Sequence, residues 1–284
     1  MLSLAHARAL ARGLTATQND QIAFLESLGT VFYVRRAANA PALISSSVIV
    51  DLIQGIYEHD SSQALRRVRS RIYATVEATE MCRGMTMVTA KRLTAPLLPD
   101  AGPLPTGLSF VQLHPRATAA TWATPPVAFA GDDATARTDG QYMSCALQLA
   151  ATVPREKQRH ECDRPIAALL VAATGEILSW GLNTNARNKT LHAEVNMVQA
   201  YCQRTGRGLP RGARIYSTLK PCRMCAGMIW HCAEDLTSLK VYYHEFDSGP
   251  HARETILNPL SQERRRLARP ELLNLAPESQ LAPT

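Results

Sequence analysis

The sequence predicts an α/β chain with a mixed sheet and helices on both faces, and three observations carry that prediction. Short apolar runs of strand length alternate with helically spaced segments from Asp139 onward. Gly and Pro punctuate the boundaries, and part of the first half repeats the pattern of the second. Taken in order, Tyr142–Ala151 carries apolar residues at helical spacing and Pro154 ends it. Residues 155–164 are charged and loop-like. Ile166–Ala172 is a continuous apolar run, and Thr174-Gly175 turns it into Glu176–Leu182 as an antiparallel hairpin. His192–Gln203 is a helix closed by Gly206, and Ala213–Thr218 is a strand. Cys222–Cys232 is a second helix, Leu239–Tyr243 a further strand, and Arg253–Leu267 mostly helical although Pro259 interrupts it. The order α-β-β-α-β-α-β-α requires a mixed sheet covered on both sides.

Composition narrows the function classes. No stretch approaches 18 uninterrupted apolar residues, which argues against a membrane span. The net charge is +7, and only five of the 31 basic residues are Lys. Arginine pairs bidentately with phosphate, so the bias fits a nucleic-acid partner. Seven irregularly spaced cysteines do not form a disulfide framework and point to a reducing compartment such as the cytoplasm. Residues 1–19 contain no acid and resemble an organelle transit peptide, but a folded Ala-rich helix over Ala5–Leu14 fits the repeat described below.

Chemistry concentrates in two motifs. Leu191-His192-Ala193-Glu194 is followed by Pro221-Cys222-Arg223-Met224-Cys225. One imidazole and two thiolates suit a zinc ion that keeps a fourth position open. His192 and Glu194 are about 200° apart around a helix, so they work together only in its first turn, where Thr190 is the expected cap. Pro221 suits a helix start, and Cys222 and Cys225, three apart, share a face. Two helix N-termini then converge on the metal, which lowers the pKa of water toward neutrality. A closed structural site would need a fourth ligand from His160, Cys162, His231 or Cys232, and a redox Cys-x-x-Cys is the other alternative. Both leave Glu194 without a role.

The His-x-Glu and Pro-Cys-x-x-Cys pair is the signature of zinc deaminases acting on nucleobases. The stretch Thr218–Ile229 resembles the bacterial tRNA adenosine deaminase family, as do Tyr142-Met143, Ala146–Ala150, Pro165-Ile166, Gly181-Leu182-Asn183, Phe246-Asp247 and Leu257-Asn258. The resemblance covers residues 140–267. It implies a cytidine-deaminase-like three-layer α/β/α fold with a mixed five-stranded sheet and zinc held by His192, Cys222 and Cys225. It further implies Glu194 as proton shuttle and Asn183 as a contact to the base. Backbone N–H groups of Ala193 and Cys222, beside Pro221, are placed to orient the oxyanion. The chain departs from the family at Lys189-Thr190-Leu191, in a short loop from Asn183 to His192, and in a longer segment over 155–164.

The first half carries a near-copy. Arg71–Met85 aligns without gaps to Arg214–Met228 with eight of fifteen positions identical. At that offset of 143, Thr79 replaces Cys222, and Ile49 and Asp51 replace His192 and Glu194. Gly29 matches the hairpin turn at Gly175. The sequence therefore predicts a duplicated fold: residues 1–137 form a degenerate, metal-free copy ending in a Pro-rich linker over 93–137, and residues 138–284 form the catalytic domain. Such a chain is a fused pseudo-dimer, and a homodimer of chains is the other arrangement. Ser109–Leu113 and Val127–Ala130 are expected as edge strands, and residues 270–284 as a mobile tail.

Three functions follow. The first is adenosine-to-inosine deamination in RNA, tRNA in particular, with cytosine in nucleic acid as its variant. Arg66, Arg67, Arg69 and Arg71 in the first half, and Arg264, Arg265, Arg266 and Arg269 on the last helix, are its candidate phosphate contacts, against a solvated helix face. The second is deamination of free purine bases or nucleosides. The third is a zinc-stabilised RNA-binding module without activity.

Overall fold

The computed structural model describes residues 2–41, 43–90, 92–114, 137–153, 164–186, 188–265 and 270–275. The elements run α1 Leu4–Leu14, β1 Gln21–Ser27, β2 Thr30–Arg36, α2 Val48–His59, α3 Ser61–Arg67, β3 Ile72–Ala74, α4 Glu80–Thr89, β4 Leu93–Thr94 and β5 Ser109–Gln112. They continue α5 Asp139–Ala150, β6 Ala167–Val171, β7 Ile177–Leu182, α6 Ala193–Thr205, β8 Arg214–Leu219, α7 Arg223–Cys232, β9 Lys240–Glu245, α8 Pro259–Arg265 and β10 Glu271–Asn274. Among the described residues, no helix is long and apolar enough to cross a membrane.

Two mixed five-stranded sheets result, ordered β4-β3-β1-β2-β5 and β10-β9-β8-β6-β7. In each, an antiparallel hairpin (β1-β2, β6-β7) opens the sheet, and its first strand pairs antiparallel with a third (β3, β8) that carries a parallel neighbour. The hairpins turn at Gly29 and Gly175, whose φ of 77° and 96° only glycine adopts without strain. The fifth strand differs: β5 adds to β2, whereas β10 adds to β9.

Burial arranges these sheets in layers. On one outer face, α1 packs Leu10 onto Phe24 and Tyr73. On the other, α5 packs Tyr142 and Leu149 onto Tyr216 and Tyr242, whose rings stack in series. Between the sheets, α2, α4, α6 and α7 contribute Ile53, Met85, Met197 and Met228 to one continuous core. Of these, α2, α6 and α7 are buried over most of their surface, as suits helices between two sheets, while α4 keeps Arg83 and Met87 exposed.

Two pairs of contacts hold the halves together with a two-fold character. A Cβ on Gly84 would lie 2.3 Å from the Arg223 carbonyl oxygen, and one on Gly227 would lie 2.4 Å from that of Glu80. Gly84 and Gly227, like Glu80 and Arg223, are equivalent positions of the repeat, so α4 and α7 cross with the same backbone-on-backbone contact made twice. At the same seam the side-chain amides of Gln54 and Gln199 exchange hydrogen bonds, 3.2 Å one way and 3.0 Å the other.

Several expectations need correction. Residues 93–114 are not all linker: β4 joins the first sheet, and β5 is the edge strand expected at Ser109–Leu113; residues 115–136, with the strand expected at Val127–Ala130, fall outside the described residues. The expected tail over 270–284 includes β10, which pairs in parallel with β9. Pro259 begins α8 rather than interrupting a longer helix, as suits a residue with no N–H to donate.

Candidate active site

The site forms where β8 delivers the chain into α7 and where α6 begins. His192 is the N-cap residue of α6 and Cys222 that of α7. Thr190 is not the cap, because its hydroxyl is committed to Asn188 at 2.7 Å. Pro221 stands just before the α7 cap instead of in the first turn. Neither cap side chain makes a capping hydrogen bond to its own helix, which leaves the imidazole and the thiol facing the space between the two helix ends.

Ligand atoms of His192, Cys222 and Cys225 all lie within 4.8 Å of one another. The two sulfurs are 3.6 Å apart, and His192 Nδ1 is 3.6 Å from Cys222 Sγ and 3.5 Å from Cys225 Sγ. Two thiolates at the usual zinc–sulfur length sit about 3.8 Å apart on a tetrahedron, so this donor set fits zinc. Among the described residues no fourth ligand joins the group. Cys232 turns instead to the Ile44 carbonyl, and His160 and Cys162 lie outside the described residues.

Glu194, in the first turn of α6, is 3% exposed. Its Oε1 accepts from Ser217 Oγ at 3.0 Å and its Oε2 accepts from Cys225 Sγ at 3.2 Å. Burial, reinforced by the Cys222 thiolate, raises its pKa. The adjacent Cys225 sulfur, and then the His192 imidazole, drive the Cys222 thiol well down.

A small cavity of about 60 Å³ opens onto these groups, with Asn183, Lys220, Asp247 and Arg164 also on its walls. Asn183 is fixed there by bonds from its amide to the Arg164 carbonyl (3.3 Å) and Asn185 Oδ1 (3.1 Å). Ala193 and Pro221 are buried beside the cavity without lining it. Lys220, Arg164 and Asp247 were missed as wall residues; Lys220 directly precedes Pro221, which was the available signal.

The loop that delivers His192 is braced from the first half. Gln54 Nε2 donates to Thr190 Oγ1 at 3.2 Å, and Asn188 Nδ2 donates to Glu58 Oε1 at 2.9 Å. Asn188 Oδ1 in turn accepts from the Thr190 N–H, and Leu191 N–H bonds back to the Asn188 carbonyl.

Strand registers fix the counterpart of this site. Ala23 pairs with Val34 and Ala74 as Ala168 pairs with Gly181 and Ser217. Ser47, the N-cap of α2, therefore matches His192, and Ile49 matches Glu194. The expected equivalence of Ile49 and Asp51 with His192 and Glu194 is thus two residues out. Ser47 Oγ lies 3.1 Å from Cys82 Sγ, and Thr79 Oγ1 lies 3.3 Å from it, repeating the active triangle with two hydroxyls and one thiol. Hydroxyls are poor zinc ligands, and no carboxylate stands in the Glu194 position. Asp51 pairs instead with Arg36 at 2.7 Å. Two residues on from Val34 and Gly181, Arg36 occupies the place of Asn183.

Of the candidate phosphate contacts, Arg67 is committed to Asp60 at 3.0 Å and to the Phe32 ring. Arg66, Arg69 and Arg71 line a recess of about 490 Å³ with Arg92. The side chains of Arg264 and Arg265 lie outside those described, as do Arg266 and Arg269.

A family profile described as Bd3614-like deaminase matches residues 157–268. The chain is 31% identical over 128 residues to a tRNA-specific adenosine deaminase of Bacillus subtilis, covering 44% of this chain and 73% of that protein. It is 39% identical over 66 residues to the enzyme of the same name from Agrobacterium fabrum, covering 23% of this chain and 43% of the relative. A solved structure from work on A-to-I editing by tRNA:A34 deaminases at the wobble position is 30% identical, over 47% of this chain and 95% of that one, with a TM-score of 0.37.

Proposed function

The chain belongs to the tRNA-specific adenosine deaminase family and is a hydrolytic deaminase, and from that premise we propose that it converts adenosine to inosine in tRNA. The observation that carries the reading is the gathering of the His192–Cys222–Cys225 triangle, Glu194 and Asn183 around one small cavity. His192, Cys222 and Cys225 would hold a zinc ion, which would supply an activated water at neutral pH. Glu194 would take one proton from the attacking water and give it to the ring nitrogen, then take the second from the oxygen now bonded to the ring carbon and give it to the departing amine, so that adenosine and water give inosine and ammonia. The Ser217 hydroxyl, which donates to Glu194 Oε1, holds the carboxyl in place for both transfers. Asn183 holds the edge of the base, its amide already oriented by Arg164 and Asn185. The reacting groups line a recess, so a base reaches them only when taken out of its stack, as in a loop or flipped nucleotide.

The first half serves, on this reading, as a metal-free copy that grips RNA and braces the catalytic loop. The arginine recess supports the first role and the Gln54 and Glu58 bonds the second. Incubating zinc-loaded protein with total tRNA, and separately with adenosine, adenine, guanine and cytidine, tests the proposal. Inosine in tRNA is the expected product; ammonia released only from the free compounds would overturn it. The arginine recess predicts salt-sensitive RNA binding.

A further inference from the structure

Lys220 is 8% exposed, yet it makes no ion pair among the described residues. It lines the mouth of the active cavity. A cation withdrawn from water is costly unless something compensates it, and an uncharged base offers nothing of the kind. Asp247, the one carboxylate on the outer wall, accepts the Gly249 N–H at 2.9 Å and faces two cations, Lys220 and the exposed Arg164. Beside this mouth stands Phe246, a large apolar side chain left 65% exposed. Its ring is held edge-on to Tyr243 at 5.5 Å, and Lys220 Nζ sits 5.0 Å from its centroid. An exposed aromatic fixed in this way is a stacking platform, and a cation next to it marks the path of a phosphate.

We propose that Lys220, Arg164 and Phe246 form a subsite for the strand on either side of the target base, with a phosphate between the two cations and a neighbouring base stacked on Phe246. This deepens the RNA reading above and rests on it for the identity of the target base. The substrate is then a nucleotide inside a single strand, and neither a free base nor a free nucleoside satisfies the site. Lys220 and Phe246 are specificity residues here and take no part in breaking the bond.

The test compares zinc-loaded wild type with Lys220→Gln, Lys220→Arg and Phe246→Ala on nucleoside, nucleoside monophosphate and single-stranded hexanucleotides, in adenosine and cytidine series. Binding of each hexanucleotide is also measured by fluorescence anisotropy, which needs no turnover. Efficiency is expected to rise from nucleoside to monophosphate to hexanucleotide. Lys220→Gln should weaken hexanucleotide binding and raise its KM about tenfold or more, with Lys220→Arg restoring most of it. Phe246→Ala should cost about fivefold or more on the hexanucleotide and less on the monophosphate, which has no second base. Equal efficiency on all three substrates, or penalties from Lys220→Gln that do not grow with substrate length, would overturn the subsite. Length dependence seen only in the cytidine series would keep the subsite and discard adenosine as the target.

Discussion

The two halves place the same triangle at the same crossing of helix ends and fill it differently. His192, Cys222 and Cys225 stand in one, and Ser47, Thr79 and Cys82 in the other. Backbone geometry is shared down to which residue caps which helix. What separates a candidate metal site from a hydrogen-bonded cluster is therefore two candidate ligand side chains and one carboxylate. The fold supplies positions, and chemistry is decided at each position separately.

The strongest way to break this comparison is to strike equivalent residues. Glu194→Gln should lower turnover roughly 10²–10⁴-fold with zinc content unchanged, measured as ammonia release beside metal analysis. Ile49→Val, its counterpart, should leave turnover alone and cost about 0.5–1.5 kcal/mol of stability. Metal should titrate to one ion per chain, lost in Cys225→Ser and kept in Cys82→Ser; two ions would show the first triangle to be a metal site after all.

The helix crossing offers a sharper symmetry test. Alanine at Gly84 or at Gly227 sets a methyl against a backbone carbonyl that cannot swing aside. Each should cost about 1–3 kcal/mol in chemical denaturation, by similar amounts. A tolerated Gly84→Ala beside a damaging Gly227→Ala would mean that the crossing is two-fold only in outline.

Gln54→Leu should come next, at about 1–2 kcal/mol, because it strands the buried Gln199 amide and frees Thr190. Since Thr190 lies two residues before His192, the variant should also release zinc faster to a chelator.

The smallest effect is a pH difference. Burial opposes ionisation of Asp139, but hydrogen bonds from Tyr216, Tyr242 and Arg214 outweigh it and hold its pKa below the usual value. A depressed carboxylate stabilises above its unfolded pKa of about 3.9, and that contribution disappears as pH falls through the folded value. Asp139→Asn should remove this acid-sensitive part below about pH 4, worth under about 1 kcal/mol because the carboxylate is largely solvated. Arg71, the counterpart of Arg214, bonds the Thr94 hydroxyl where Arg214 bonds a carboxylate.

Much of this was legible because the signals are local. The apolar run from Ile166, the turn at Gly175 and the Cys-x-x-Cys spacing each specify structure within a few residues. β10 was not, since Glu271-Leu272-Leu273-Asn274 is too short to show a period and gains its strand only by pairing with β9. Nor was the register of α2. A single gapless window fixes an offset of 143 at β3 and β8, but the connection from α2 to β3, which contains α3, differs in length from that between α6 and β8, and the offset at the helices is 145. Lys220 escaped notice because its meaning lies in its burial against Phe246, which sequence does not display.

The reciprocal amides of Gln54 and Gln199 carry a consequence for how such a molecule can change. In an assembly of identical chains, every substitution is made on both sides of the axis at once, so a residue that helps one site must be tolerated at the other. Here the two sides of the axis are written separately in one chain. Each can drift on its own, and their association rests on intramolecular concentration, unaffected by dilution of the protein.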